Sequence, residues 1–143
     1  MRNTVLIVED DPVLQLFLEE ELETLGWKTI LAPSTLDAME EIRDRSDDIA
    51  VVITDVQMPG IRNGFTLANQ VRFGWPEIGV VIISGTERPK PGDLPQGVAF
   101  YNKPIAGEKL LTAVDNAMRD ADWSVSNRDR LGDPTDESSR KAH

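Results

Sequence analysis

The stretch IAVVITDVQMPG, residues 49–60, decides the fold. Ile49–Thr54 is a nearly continuous apolar run rich in β-branched residues, which suits a strand buried on both faces of a parallel sheet. An acid, Asp55, stands directly behind it, and Gln57–Gly64 is loop chemistry. Toward the N-terminus, Thr35–Arg45 spaces Leu36, Met39 and Ile42 for a helix that Ser34 can cap. Trp27–Leu31 reads as a strand before it. Pro12–Leu25 is a helix with Leu14, Phe17, Leu18, Leu22 and Leu25 at helical spacing. Pro12 fits its first turn and Gly26 ends it. Thr4–Val8 (TVLIV) is the first strand.

Toward the C-terminus the alternation continues. Phe65–Phe73 offers Phe65, Leu67, Ala68 and Val71 as a helix face. Ile78–Ile83 is a fourth apolar run and Val98–Tyr101 a short fifth one. Gly107–Met118 is a further amphipathic helix with Leu110, Leu111, Val114 and Met118. Strands alternating with helices predict right-handed βαβ crossovers and a parallel sheet covered on both faces. Two segments break the pattern. Thr86–Gly97 holds Pro89, Pro91 and Pro95, and an interior proline costs a helix about 3 kcal/mol, so a loop or a single turn is expected there. From Asp122 to His143 the chain is polar and is expected to be a flexible tail, leaving one domain over residues 1–121.

Composition narrows the function classes. The 143 residues suit one domain with a core of its own. Cysteine is absent, which excludes disulfides, thiolate metal sites and a cysteine nucleophile. The one histidine is the last residue, His143, which argues against a histidine-centred triad or metal site. Twenty-five acids against fifteen bases give a net charge of −10, which disfavours nucleic acid and anionic membranes as partners. No apolar window approaches the roughly 18 residues of a membrane span, and no signal peptide is evident, so a cytoplasmic location is expected.

In a parallel sheet a site forms beyond the carboxyl ends of the strands. The residues directly after the apolar runs are Glu9, Asp10 and Asp11; Asp55; Ser84 and Gly85; and Lys103 before Pro104. Converging carboxylates with oxygen ligands alone suit a hard cation, Mg²⁺ or Mn²⁺. A carboxylate can also be the nucleophile of phosphoryl transfer. A metal, the Lys103 ammonium and the Ser84 hydroxyl with the Gly85 N–H would then each meet one phosphoryl oxygen.

These residues carry a resemblance. VLIVEDD, VVITDVQMPG, VVIISGT and FYNKP, in this order, resemble the receiver domain of bacterial two-component response regulators over about residues 3–120. The resemblance implies a doubly wound, flavodoxin-like α/β fold: a five-stranded parallel sheet of order 2-1-3-4-5 with helices on both faces, the fourth helix here short or missing. It implies Asp55 as phosphoacceptor, Asp10 as direct metal ligand, Glu9 acting on the metal through water, and the Gln57 backbone carbonyl as a further ligand. Ser84 and Lys103 would meet the phosphoryl group, Ser84 and Phe100 would form the switch, and Gln57 and Thr86 would tune hydrolysis. The implied cofactor is Mg²⁺, with Mn²⁺ as substitute. The implied partners are a histidine kinase or histidine phosphotransferase, docking on the first helix, and a downstream protein.

Departures from the family pattern are Glu9 in place of the usual Asp, a GIRNG loop one residue longer than common, and the proline-rich Thr86–Gly97 segment. No output domain is expected after the receiver, so signalling would run through protein contacts, or the chain would serve as a phosphate sink or relay, as a monomer or weak dimer. No enzymatic turnover is expected beyond self-phosphorylation and slow autodephosphorylation. A phosphatase of the haloacid-dehalogenase type would need a second Asp two residues after the first, where Gln57 stands. A phosphorylation-independent pseudo-receiver is the alternative binding module. Neither GxGxxG nor GxxxxGK[ST] occurs, and no basic recognition helix is present.

Overall fold

The computed structural model describes residues 2–56, 64–85 and 97–126. Nine elements succeed one another among these residues: β1 (Thr4–Val8), α1 (Pro12–Thr24), β2 (Lys28–Ala32), α2 (Thr35–Arg45), β3 (Ile49–Asp55), α3 (Gly64–Gly74), β4 (Gly79–Ser84), β5 (Ala99–Asn102) and α4 (Gly107–Ser126). All strand pairs are parallel, and the sheet order is β2-β1-β3-β4-β5. This is the flavodoxin-like receiver fold.

β1, β3 and β4 are buried along their whole length, as continuous apolar runs require in a sheet covered on both sides. Successive side chains alternate between the faces. Leu6, Val8, Val52, Val80 and Ile82 join Met39, Ile42, Leu67 and Val71 of α2 and α3 in one core cluster. Val5, Ile7, Val51, Ile53, Val81 and Ile83 join Leu18 and Leu22 of α1 and Leu110, Ala113, Val114 and Ala117 of α4 in the other. At about 25 cal/mol per Å² of apolar surface removed from water, these two layers are what holds the sheet.

Local chemistry sets the helix limits. Asp11 caps α1, its Oδ1 accepting from Val13 N at 2.9 Å, with Pro12 at the first helical position. The end of α1 is a Schellman turn: Trp27 N donates to Leu22 O at 3.0 Å and Gly26 N to Glu23 O at 3.0 Å. Gly26 adopts φ +95°, a left-handed conformation that side chains disfavour. Trp27 is taken up in that turn, so β2 starts one residue later than the sequence suggests. Ser34 caps α2, its Oγ accepting from Asp37 N at 3.1 Å.

Two further expectations are corrected. Leu36 is exposed; the inward stripe of α2 is Thr35, Ala38, Met39 and Ile42. The last helix does not stop at Met118, nor does a tail begin at Asp122, because α4 continues to Ser126. Ala117 and Ala121 are buried four residues apart, and small side chains carry the packed face onward without the large apolar residues that a sequence reading looks for. The expected short or missing helix within Thr86–Gly97 falls almost entirely on 86–96, outside the described residues, as does 127–143.

Candidate functional site

The parallel register brings the strand ends to one edge. Val8 lies beside Thr54, Asp55 beside Ile83, and Ser84 beside Asn102. Asp55 and Ser84 are the last residues of their strands rather than the first of loops. Glu9 and Lys103 prolong the ladder by one bond each: Glu9 N donates to Ala32 O at 3.1 Å, and Lys103 N donates to Ser84 O at 2.8 Å. Glu9, Asp55, Ser84 and Lys103 are thus fixed by main-chain pairing, around the β1–β3 junction where the strand order reverses, the place where ligands bind in such sheets.

The ammonium of Lys103 bridges two carboxylates. Its Nζ donates to Asp55 Oδ2 at 2.7 Å and to Glu9 Oε1 at 2.9 Å. The Glu9 side chain is 1% exposed and that of Asp55 8%, against 24% for Lys103. Burial pushes the Glu9 carboxyl above its ordinary value. The Lys103 and Asp11 N–H bonds oppose that rise and the Asp55 charge adds to it. Burial alone would lower Lys103, but its hydrogen bonds to Asp55 and Glu9 outweigh this and hold the ammonium above its ordinary value. The lysine is therefore charged throughout the neutral range.

Glu9 is anchored from every side. Its Oε2 accepts from Asp11 N at 3.1 Å, and its main-chain carbonyl accepts from the Gln15 side-chain amide. Asp10 is exposed beside it. One carboxylate oxygen from each of Glu9, Asp10 and Asp55 lies within 4.8 Å of the others. Three carboxylates gather here, one ammonium bridges two of them, and the donor set is oxygen only. That chemistry fits a hard divalent cation and no soft one.

Of the residues singled out from the sequence, Glu9, Asp10, Asp55 and Lys103 are brought together. Ser84 is buried at the same edge. Phe100 is half-buried and packs on the α2–α3 side of the sheet, while Tyr101 packs on the α1–α4 side. Gln57 and Thr86 lie outside the described residues. Sequence reading gives Gln15 of α1 no part in the site, whereas its amide turns back onto the Glu9 carbonyl. It also passed over Thr54, whose buried hydroxyl donates to Asp55 O at 3.0 Å, and Gly64, against the same carbonyl. A helix that opens on glycine, a poor helix former, was the available signal for the second.

The family model for the response regulator receiver domain matches residues 5–115, and the chain belongs to this family. It is 30% identical over 137 residues to the C4-dicarboxylate transport transcriptional regulatory protein DctD of Pseudomonas aeruginosa, covering 89% of this chain and 28% of that protein. It is 29% identical over 124 residues to the sensor kinase CckA of Brucella abortus, covering 83% of this chain and 13% of that protein. The chain thus spans less than a third of these relatives. Among solved structures, a response regulator receiver protein from Sinorhizobium medicae superposes with a TM-score of 0.76 at 23% identity, covering 84% of this chain and 97% of that one. A receiver domain from Clostridium thermocellum gives 0.70 at 23% identity, covering 84% and 97%. Membership in the family makes this chain a signalling module of the two-component class.

Proposed function

We propose that this chain takes a phosphoryl group onto Asp55 from a phosphohistidine protein, in a reaction that needs Mg²⁺, and passes the signal on by protein contacts. One observation carries the reading: a single buried-edge ammonium holds Asp55 and Glu9 together, with a third carboxylate within 4.8 Å. Such a site is poised for a dianionic group that brings a cation with it.

Each residue has a separate task. Lys103 binds Asp55 Oδ2 and so orients the carboxylate, and the other oxygen, Oδ1, attacks phosphorus. The P–N bond of the donor breaks, and its electron pair stays on the imidazole nitrogen. Lys103 then meets the charge on a phosphoryl oxygen, and the Ser84 hydroxyl donates to another. Glu9, Asp10 and Asp55, with the Gln57 carbonyl, would hold Mg²⁺, which supplies charge neutralisation when bound. Movement of Ser84 toward the phosphoryl group and of Phe100 inward would alter the surface beside β4 and β5, and Gln57 and Thr86 would set the hydrolysis rate. The support for these roles is the match of position in the sequence together with the gathering of Glu9, Asp10, Asp55 and Lys103.

The test is incubation with acetyl phosphate and Mg²⁺, read by intact mass. A gain of one phosphoryl group is expected, absent with a chelator and absent in Asp55→Asn. No gain in the unaltered protein, or a gain that persists in Asp55→Asn, overturns the reading; the former outcome would leave a phosphorylation-independent binding module.

A further inference from the structure

The main chain of Asp55 is gripped at a point that the phosphoryl chemistry does not use. A Cβ placed on Gly64, the first residue of α3, would lie 2.1 Å from Asp55 O, 2.8 Å from Asp55 C and 2.9 Å from Val56 Cα. All three are backbone atoms, so no side chain can swing aside to make room. Gly64 N donates to Val56 O at 3.0 Å, and Val56 N to Ile83 O at 3.2 Å, which ties the start of α3 to the end of β3 and to β4. On the same Asp55 carbonyl, the buried Thr54 hydroxyl donates at 3.0 Å. Asp55 O is thus held by a hydroxyl and by a helix start that fits only because it carries no side chain.

We propose that Gly64 and Thr54 are positioning residues for the acceptor: together they fix the peptide of Asp55, and through it the direction in which the carboxylate leaves the strand toward Lys103. The inference rests on Asp55 being the phosphoacceptor. With a side chain at position 64, either α3 must lift from the strand end, which releases one hold on the Asp55 peptide, or that peptide must rotate, which takes Oδ2 away from the ammonium. Gly79 makes the comparison possible. A Cβ there would lie 2.5 Å from Ala117 O, an equally severe backbone clash, but Gly79 begins β4, at the opposite edge of the sheet.

The experiment compares Gly64→Ala, Thr54→Val and Gly79→Ala with the unaltered protein. The first readout is the rate of phosphoryl uptake from acetyl phosphate at saturating Mg²⁺, expressed per folded molecule. The second is the ¹³Cγ shift of Asp55 in metal-free protein, which reports its bond to Lys103 without any turnover. Misplacing a reacting group by a fraction of an ångström to one ångström costs about ten- to a hundredfold in rate. Gly64→Ala and Thr54→Val are therefore expected to lose about that much and to shift the Asp55 resonance. Gly79→Ala is expected to lower the melting temperature while leaving rate and resonance as they were. Unchanged rate and resonance in folded Gly64→Ala overturns the proposal. If Gly64→Ala does not fold, Thr54→Val decides, because it removes one hydroxyl at nearly constant shape, and an unchanged rate and shift there overturns it too. Failure of the unaltered protein to take up phosphate would instead sink the proposed function, with the Asp55 resonance still reporting on the grip.

Discussion

Replacing Lys103 by methionine removes the ammonium and keeps most of the stem. Two hydrogen bonds to charged groups are lost, at 2.7 Å and 2.9 Å, each worth about 1.5–3 kcal/mol in such settings. Against this, ordering a lysine side chain costs about 2 kcal/mol, and a side chain a quarter exposed is partly screened by water. The net expectation is a loss of about 2 kcal/mol at pH 8. The loss must depend on pH in a definite direction. Glu9 has its carboxyl raised by burial, so its contribution to stability is complete below the unfolded value and is lost as pH rises through the folded one. Without Lys103 the folded value climbs further, and the loss extends to higher pH. The deficit of Lys103→Met against the unaltered protein should therefore be below about 1 kcal/mol at pH 5 and should grow toward pH 8. Urea unfolding in chelator, followed by circular dichroism at both pH values, measures it. A deficit under about 0.5 kcal/mol at pH 8, or one equal at the two pH values, refutes the claim that the ammonium neutralises a buried carboxylate.

Other consequences are as direct. Mg²⁺ at about a hundred times its Kd should raise the unfolding free energy by about 2.7 kcal/mol, and Asp10→Asn should need a higher concentration for the same gain; identical titrations would remove Asp10 from the cation site. Leu22→Ala, which empties a fully buried position between α1 and the sheet, should cost about 2–5 kcal/mol in denaturant unfolding, and a loss below about 1 kcal/mol would mean that the layer repacks. Leu16 is half exposed on α1, with Val13 at 77% exposure one turn away. Leu16→Asp should leave stability within about 0.5 kcal/mol and uptake from acetyl phosphate unchanged, yet slow transfer from a phosphohistidine protein; equal slowing with both donors would argue against docking there.

The sheet was legible in the sequence because its central strands are pure in character. TVLIV, IAVVIT and the run before Ser84 admit no other reading when each is succeeded by a helical spacing. The site was legible for the same reason: in a parallel sheet the residues just past each run must share an edge, so Glu9, Asp55 and Lys103 could be grouped before any distance was known. The contacts made by backbone rather than by side-chain type could not be read. Gln15 reaching the Glu9 carbonyl, Thr54 donating to Asp55, and Gly64 lying flush on that residue leave no trace in hydropathy. Leu36 misled because a large apolar residue in the first turn of α2 was counted as core, while the smaller Ala38 took the inward place. The extension of α4 was missed for a related reason, since alanines pack a helix without announcing it.

β5 has four residues and, among the described residues, lies at the margin of the sheet with a strand on one side only. Its side chains are half in water where those of β3 and β4 are dry. Yet the lysine that holds Asp55 hangs from its end. Local opening starts where few apolar contacts and exposed amides coincide. Amide protons of Ala99–Asn102 should therefore exchange well before those of the central strands, and the grip on Asp55 would come loose by fraying of its anchor while the layers beneath stay shut.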